Sequence, residues 1–389
     1  MSRYIFFIII ACDIALLLFQ TTQLSISYDE AKLVYGDFSF LKILLNGSFF
    51  IFGKNDFALR FPMIFLHVSS VLILYKISDF YIKENKDKLW LIFIYILLPG
   101  VMSSALVVNS AGLLIFGLFL FVYMYKNKYE NIAYFLMIFY SFIESSFLYL
   151  FISMLFYGFY SKKNSLIIVS FFTSLISIYF YGIEAYGAPK GHFLDFIGVY
   201  SAIFSPIIFI YLVYVLYKVY FIKRDCLDML WFLAVVAFVI SLILSFRQRV
   251  AIEHFAPYLL VSLPLVAQTF ISSYKIRLRI FRRWYKLAFI LSLIFLIVNV
   301  FIVLLNKYIY LVVDKPKDNF AYNMHIAKEL ALKLKKEDIK CISLDSEMML
   351  RLKFYGINGC KSEKQFQNVT VSYHGIKVYD TNVTKINNN

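Results

Sequence analysis

The chain has 389 residues, with 39 Lys and Arg against 24 Asp and Glu and a net charge of +15. Hydrophobic residues make up 61% and charged residues 16%, with mean hydropathy +0.73. An ordinary soluble domain, about half apolar and a quarter charged, is excluded. The cations lie between apolar blocks, so they read as membrane topology and not as a nucleic-acid surface.

Apolar runs fall near 4–20, 61–80, 89–106, 111–125, 131–143, 145–160, 166–183, 199–221, 229–246, 256–271 and 287–309. A helix of about 20 residues crosses a hydrocarbon core of about 30 Å, so these runs predict about eleven transmembrane helices. Lipid offers no partner to free backbone groups, so the spans must be helical. The first run follows Arg3 and precedes no A-x-A-like site, and it reads as an uncleaved helix. The 131–160 stretch reads as two short helices around Glu144.

With a cytoplasmic N-terminus, the inner loops carry Lys83, Lys86 and Lys88; Lys126 and Lys128; Lys162 and Lys163; Lys223 and Arg224; and the run from Lys275 to Lys286. The turns at 107–110 and around Glu144 carry no Lys or Arg. This is the positive-inside pattern, and an odd helix count places the tail outside. The expected location is the bacterial inner membrane, with the C-terminal domain periplasmic.

The first outer loop, 21–58, is too long for a simple turn. Its segment 38–52 (FSFLKILLNGSFFIF) suits a helix lying at the bilayer interface. After Asp314 no apolar run is long enough to span. Residues 320–336 read as an amphipathic helix, 339–344 as a short strand, 346–355 as a helix and 367–379 as one or two strands. The expected fold is an all-α polytopic membrane domain over 1–310 and a small extracytoplasmic α/β domain over 314–389. Cys12, Cys226, Cys341 and Cys360 form no CxxC or metal spacing, and a Cys341–Cys360 bridge is open to a domain outside the cytoplasm.

No Walker A, GxGxxG, HExxH or GxSxG pattern occurs. The polar groups at the outer ends of the spans remain, where charge is costly. In Tyr28-Asp29-Glu30-Ala31 two adjacent carboxylates face different directions. One can act as a general base while the other takes a structural partner, or both can simply open a helix. In Gly53-Lys54-Asn55-Asp56-Phe57-Ala58-Leu59-Arg60-Phe61-Pro62, Arg60 stands at the mouth of the second span, with Pro62 suited to the first turn of that helix. Arg60 suits a phosphate, a snorkelling contact with the headgroups or a pairing with Asp56. Arg247 and Arg249 run against the positive-inside trend, so they call for an anionic partner: Glu253, a lipid headgroup or a substrate phosphate. His254, Glu144 and Asn109 complete the outer-face polar set. Asp13 is deep in the first span and needs a partner, and His67 reads as an interhelical hydrogen-bonding residue.

The long first outer loop opening on Tyr28-Asp29-Glu30-Ala31, followed by the segment Gly53–Pro62, resembles the polytopic GT-C glycosyltransferases. The bacterial branch resembling protein O-mannosyltransferases and lipid A aminoarabinose transferases is the nearer one. The resemblance covers about 1–310 in topology and 28–62 in motif. It implies transfer of a sugar from a polyprenyl-phosphate donor to lipopolysaccharide, lipid A, another surface glycan or a protein, with inversion. It places the catalytic carboxylate at Asp29, with Glu30 beside it. Donor-phosphate contacts fall to Arg60, Arg247 and Arg249. Further substrate contacts fall to Tyr28, Lys54, Asn109, Glu144, Glu253 and His254. Asn109 stands where relatives often carry an Asp, and Asn is a weak cation ligand; a divalent metal stays open as a cofactor, and no other is implied. The alternatives are a flippase or transporter of lipid-linked glycans and a polysaccharide polymerase or ligase.

Overall fold

Helix dominates the structure, a computed structural model that describes residues 2–183, 191–222, 227–337, 339, 341–342, 344–359 and 366–384. The chain opens with α1 (Ser2–Gln23), α2 (Tyr28–Tyr35), α3 (Phe40–Phe52) and α4 (Asp56–Ser78). Then come α5 (Asn85–Leu97), α6 (Pro99–Leu106), α7 (Ser110–Lys126), α8 (Glu130–Tyr140), α9 (Leu148–Ser161) and α10 (Asn164–Tyr181). The series continues with α11 (Phe193–Phe204), α12 (Pro206–Ile222), α13 (Met229–Ser245), α14 (Ala256–Val261), α15 (Leu263–Ile276) and α16 (Arg279–Leu304). The tail adds α17 (Ala327–Lys336) and α18 (Ser346–Phe354).

Among the described residues, four helices (α1, α4, α10 and α16) are long and apolar enough to cross a membrane, or up to seven if three bent pairs each count as one span. Eleven single membrane-length helices are therefore not what the apolar runs become. The α5–α6 pair bends by 62° and α11–α12 by 103°. Pro99 and Pro206 open the second helix of each, where a proline cannot continue the preceding ladder. At 17 residues, α7 and α13 each rise only about 26 Å. The 131–160 stretch is two helices, α8 and α9, with Glu144 at the break.

The chain divides into two units that are not consecutive. One comprises Met1–Ile14, Met63–Ala105 and Asn109–Val300; the other comprises Ala15–Pro62, Leu106–Val108 and Phe301–Asn389. In the larger unit, ion pairs and hydrogen bonds join loops that carry the cations. Lys126 and Tyr81 both reach Asp228, at 2.8 Å each. Lys163 binds Glu130 and Lys275 binds Glu84, both at 2.5 Å. The loops at 79–88, 126–130, 162–163, 227–228 and 275 thus meet at one end of the unit. Lys223 and Arg224 lie outside the described residues.

In the second unit the tail core gathers Ile326, Leu330, Leu334, Ile342, Leu352 and Val371. The hairpin pairs β3 (Phe366–Tyr373) with β4 (Ile376–Thr384) antiparallel, after β1 (Cys341–Ile342) has paired in parallel with β2 (Asn358–Gly359). His374 and Gly375 both have positive φ, 51° and 83°, as a two-residue hairpin turn requires. The amphipathic helix starts at Ala327, not 320. Residues Tyr322–Met324 form a 3-10 turn, and Ile326 sits at φ 78° in a tight turn closed by Ala327 N–H on the His325 carbonyl. Cys360 lies outside the described residues, and with it the Cys341–Cys360 pairing.

Helix α4 begins earlier than the sequence suggests. The Asn55 side chain accepts the Ala58 N–H at 2.7 Å and so caps the helix. Pro62 therefore lies inside α4, past its first turn. It has no N–H to give the Ala58 carbonyl, and the Ser48 hydroxyl on α3 donates to that carbonyl instead, at 2.6 Å.

Candidate functional site

Helix α2 starts on a capping box. Ser27 Oγ accepts the Glu30 N–H at 3.2 Å, and Glu30 Oε2 accepts the Ser27 N–H at 2.8 Å. Glu30 is fully buried, and its other oxygen accepts the Val108 N–H at 3.1 Å. Arg60 is equally buried, with Nη2 3.5 Å from Glu30 Oε2. The same guanidinium donates to the Ser25 carbonyl at 2.9 Å and lies 3.9 Å from Asp56 Oδ1. A carboxylate and a guanidinium without solvent are tolerable only when paired and hydrogen-bonded in this way.

The neighbouring carboxylate differs. Successive residues of a helix point about 100° apart, and Asp29 is exposed, with no hydrogen bond or ion pair among the described residues. The Tyr-Asp-Glu-Ala motif thus places one anchored and one free carboxylate side by side. Arg60, expected to reach a donor phosphate, is instead closed from solvent by Glu30, Asp56 and the Ser25 carbonyl. Three exposed cations of this unit lie around α2. The Lys32 amine sits 5.1 Å from the Tyr28 ring centre. Lys54 sits 4.5 Å from that of Tyr35, and Lys353 4.6 Å from the same ring.

The tail holds this loop through residues that the motif does not contain. Tyr355 OH donates to Asp56 at 2.7 Å and accepts the Ile26 N–H at 3.0 Å. Lys328 binds Asp56 at 2.9 Å, and Arg351 Nε donates to the Ile26 carbonyl at 2.9 Å. Ser25 N–H donates to the Met324 carbonyl at 2.8 Å. Burial lowers the Arg351 pKa and raises that of the Tyr355 phenol. Behind them His325 is buried, with Nδ1 2.8 Å from Tyr310 OH and Nε2 3.0 Å from Asn306 Oδ1. Burial, with the Lys307 and Arg351 charges, holds it neutral, its pKa lowered to about 3. Local pattern gives no signal for these partners, because they are some 300 positions from the loop.

The remaining candidates belong to the larger unit. Asn109 precedes α7 at its N-cap without a side-chain cap bond, and its Oδ1 is buried without a partner. Glu144 lies beside Ser145 and Ser146, and Ser146 Oγ contacts His254 Nδ1. Tyr258 OH donates to the Ser146 carbonyl at 2.7 Å. The turn expected at the outer face around Glu144 is thus joined to His254, of the expected outer loop 246–255, and to Tyr258. Glu253, Arg247 and Arg249 are exposed. Asp13 has its partner in His67, at 2.8 Å, and the His67 ring stacks on Tyr95. Among the described residues no three His, Cys, Asp or Glu side chains gather as a metal site.

No family model, curated protein or solved structure matches this chain.

Proposed function

We propose that this chain is a multi-pass glycosyltransferase of the bacterial inner membrane. It moves a sugar from a polyprenyl-phosphate donor to a surface glycan, lipid or protein at the outer face. The observation that carries this reading is the division of labour on α2, with Glu30 buried in the Arg60 pair and Asp29 exposed and unpartnered. Asp29 takes the proton of the acceptor hydroxyl as that oxygen attacks the anomeric carbon. The lipid phosphate leaves from the opposite face, and the configuration inverts. Glu30 and Arg60 position the loop. Lys32, Lys54 and Lys353, exposed around α2 in the same unit as Asp29, are cations open to the leaving phosphate. The topology has eleven crossings, with α5–α6, α11–α12 and α14–α15 each as one broken span and α7, α8, α9 and α13 as short ones. The joining of the basic loops at one end, and elsewhere of the Glu144 turn to His254 in the loop 246–255, supports this topology, with the small C-terminal α/β region outside.

Mass spectrometry of envelope glycans from wild-type, deletion and Asp29→Asn cells tests the proposal. Loss of the same sugar mass in both mutants supports it. A glycan profile unchanged by deletion overturns it. One observation favours a transporter of lipid-linked glycans, namely the buried Asp13–His67 pair within apolar helices. In that case Asp13→Asn, and not Asp29→Asn, reproduces the deletion.

A further inference from the structure

In the larger unit, α5, α12, α15 and α16 line a partly open cavity of about 570 Å³. Its wall is almost wholly apolar, formed by side chains such as Trp90, Ile94, Ile208, Phe270, Phe289 and Leu293. Of its three wall tyrosines, Tyr211 and Tyr285 bond each other through their hydroxyls at 2.8 Å, and the Tyr274 ring lies 5.8 Å from the Arg282 guanidinium. The volume falls within the range of ordinary ligand sites. One end of the cavity is charged, lined by Glu84, Asp87, Lys275 and Lys286.

That mouth opens on the segment Lys275–Lys286, which brings six cations against the two carboxylates. Lys275 is held by Glu84 at 2.5 Å and Asp87 at 3.9 Å. Arg277 lies 4.5 Å from the centre of the Tyr285 ring, and Arg282 donates to the carbonyls of Lys275 and Arg277. Arg279, Arg283 and Lys286 are exposed and have no acidic partner among the described residues. Ile276, Leu278, Ile280 and Trp284, 71–84% exposed, alternate with these cations. Cations interleaved with exposed apolar side chains at the start of a long apolar helix match the boundary between headgroups and acyl chains.

We infer that this cavity binds an anionic membrane phospholipid, with one acyl chain between α5, α12, α15 and α16 and the phosphodiester at Lys286 and Arg283. Charge complementarity selects the occupant. The wall offers an acyl chain only van der Waals contact, and the mouth carries an excess of unpaired positive charge that a zwitterionic headgroup does not neutralise. The inference does not rest on glycosyl transfer.

The test uses the delipidated full-length chain and native mass spectrometry. Phosphatidylglycerol, phosphatidylcholine with the same chains, and undecaprenyl phosphate are added back in turn. The expected result is retention of phosphatidylglycerol over phosphatidylcholine. Lys286→Gln and Arg283→Gln should each lower that preference about five-fold, equivalent to about 1 kcal/mol per cation. Ala267→Trp, which fills the cavity, should abolish retention. As a control that needs no variant, phosphatidylglycerol with a photoreactive acyl chain should label wild-type peptides containing Trp90, Phe270 or Phe289. Equal retention of the two phospholipids, an unchanged preference in both Gln variants, or labelling confined to other peptides overturns the inference. Displacement of phosphatidylglycerol by equimolar undecaprenyl phosphate also overturns it, and names an isoprenoid as the occupant.

Discussion

Arg60 Nη2 lies 3.5 Å from Glu30 Oε2, and neither side chain reaches solvent. The pair closes the two ends of the first loop's motif onto each other, so the residues that resemble a catalytic signature also form its internal brace. Removing one member leaves the other charged, buried and uncompensated. Glu30→Ala and Arg60→Ala should each cost about 3–5 kcal/mol. The double variant should cost much less than the sum, which a double-mutant cycle on thermal unfolding measures. Additive losses would mean that the pair is not coupled.

Asp29 has no such partner, and its replacement should be nearly silent in stability. Asp29→Asn is expected to shift unfolding by less than about 0.5 kcal/mol, as is usual for exposed sites, while abolishing sugar transfer in membranes. Full transfer by this variant would remove Asp29 from the mechanism.

His325 gives the tail a pH dependence with a definite sign. Its pKa is lowered from the ordinary 6.5 to about 3 in the folded chain. Between those values the unfolded chain binds a proton that the folded chain does not, so acid favours unfolding. Stability should be flat above about pH 6.5 and fall by about 1.4 kcal/mol per pH unit as pH drops towards 3. Thermal unfolding at pH 7, 5.5 and 4.5 reads the slope, and His325→Gln should flatten it.

Asp13 and His67 form a second buried pair, at 2.8 Å. Asp13→Leu alone should leave His67 without its partner and lower stability by about 1–3 kcal/mol. The combined Asp13→Leu, His67→Leu variant should recover part of the loss, because both polar groups then leave the apolar helices together. Worse stability in the double than in either single variant would count against the pairing.

Gly112 marks a close approach of α7 to α6. A Cβ there would stand 2.9 Å from the Ser104 carbonyl oxygen and 3.3 Å from Met63 Sδ. The backbone cannot yield as a flexible side chain would, so Gly112→Ala should destabilise by about 1–3 kcal/mol. The shift should show as a lower melting temperature in detergent.

Much of the architecture is written locally. The apolar runs, Ser27 and Glu30 three residues apart, and the helix at 346–355 follow from hydropathy, capping chemistry and periodicity, all of which act over a few residues. The turn between α8 and α9 at Glu144 was legible for the same reason. Where Pro99 and Pro206 break the ladder, the run length remained but the straight span did not. At Asn55 a side-chain cap moved the start of α4 earlier than its proline implied.

The sequence by itself determined that this chain is a helical, apolar, membrane-type protein, and that Asp29 and Glu30 must face different ways. Only the tertiary structure decided which carboxylate is free. That choice depends on Arg60, Ser25 and Val108 converging on Glu30, and on Tyr355, Lys328 and Arg351 reaching the same loop from the far end of the chain. Contacts between residues hundreds of positions apart leave no period or spacing in the sequence. A buried ion pair and a solvent-facing carboxylate are therefore the same letters until the chain is folded.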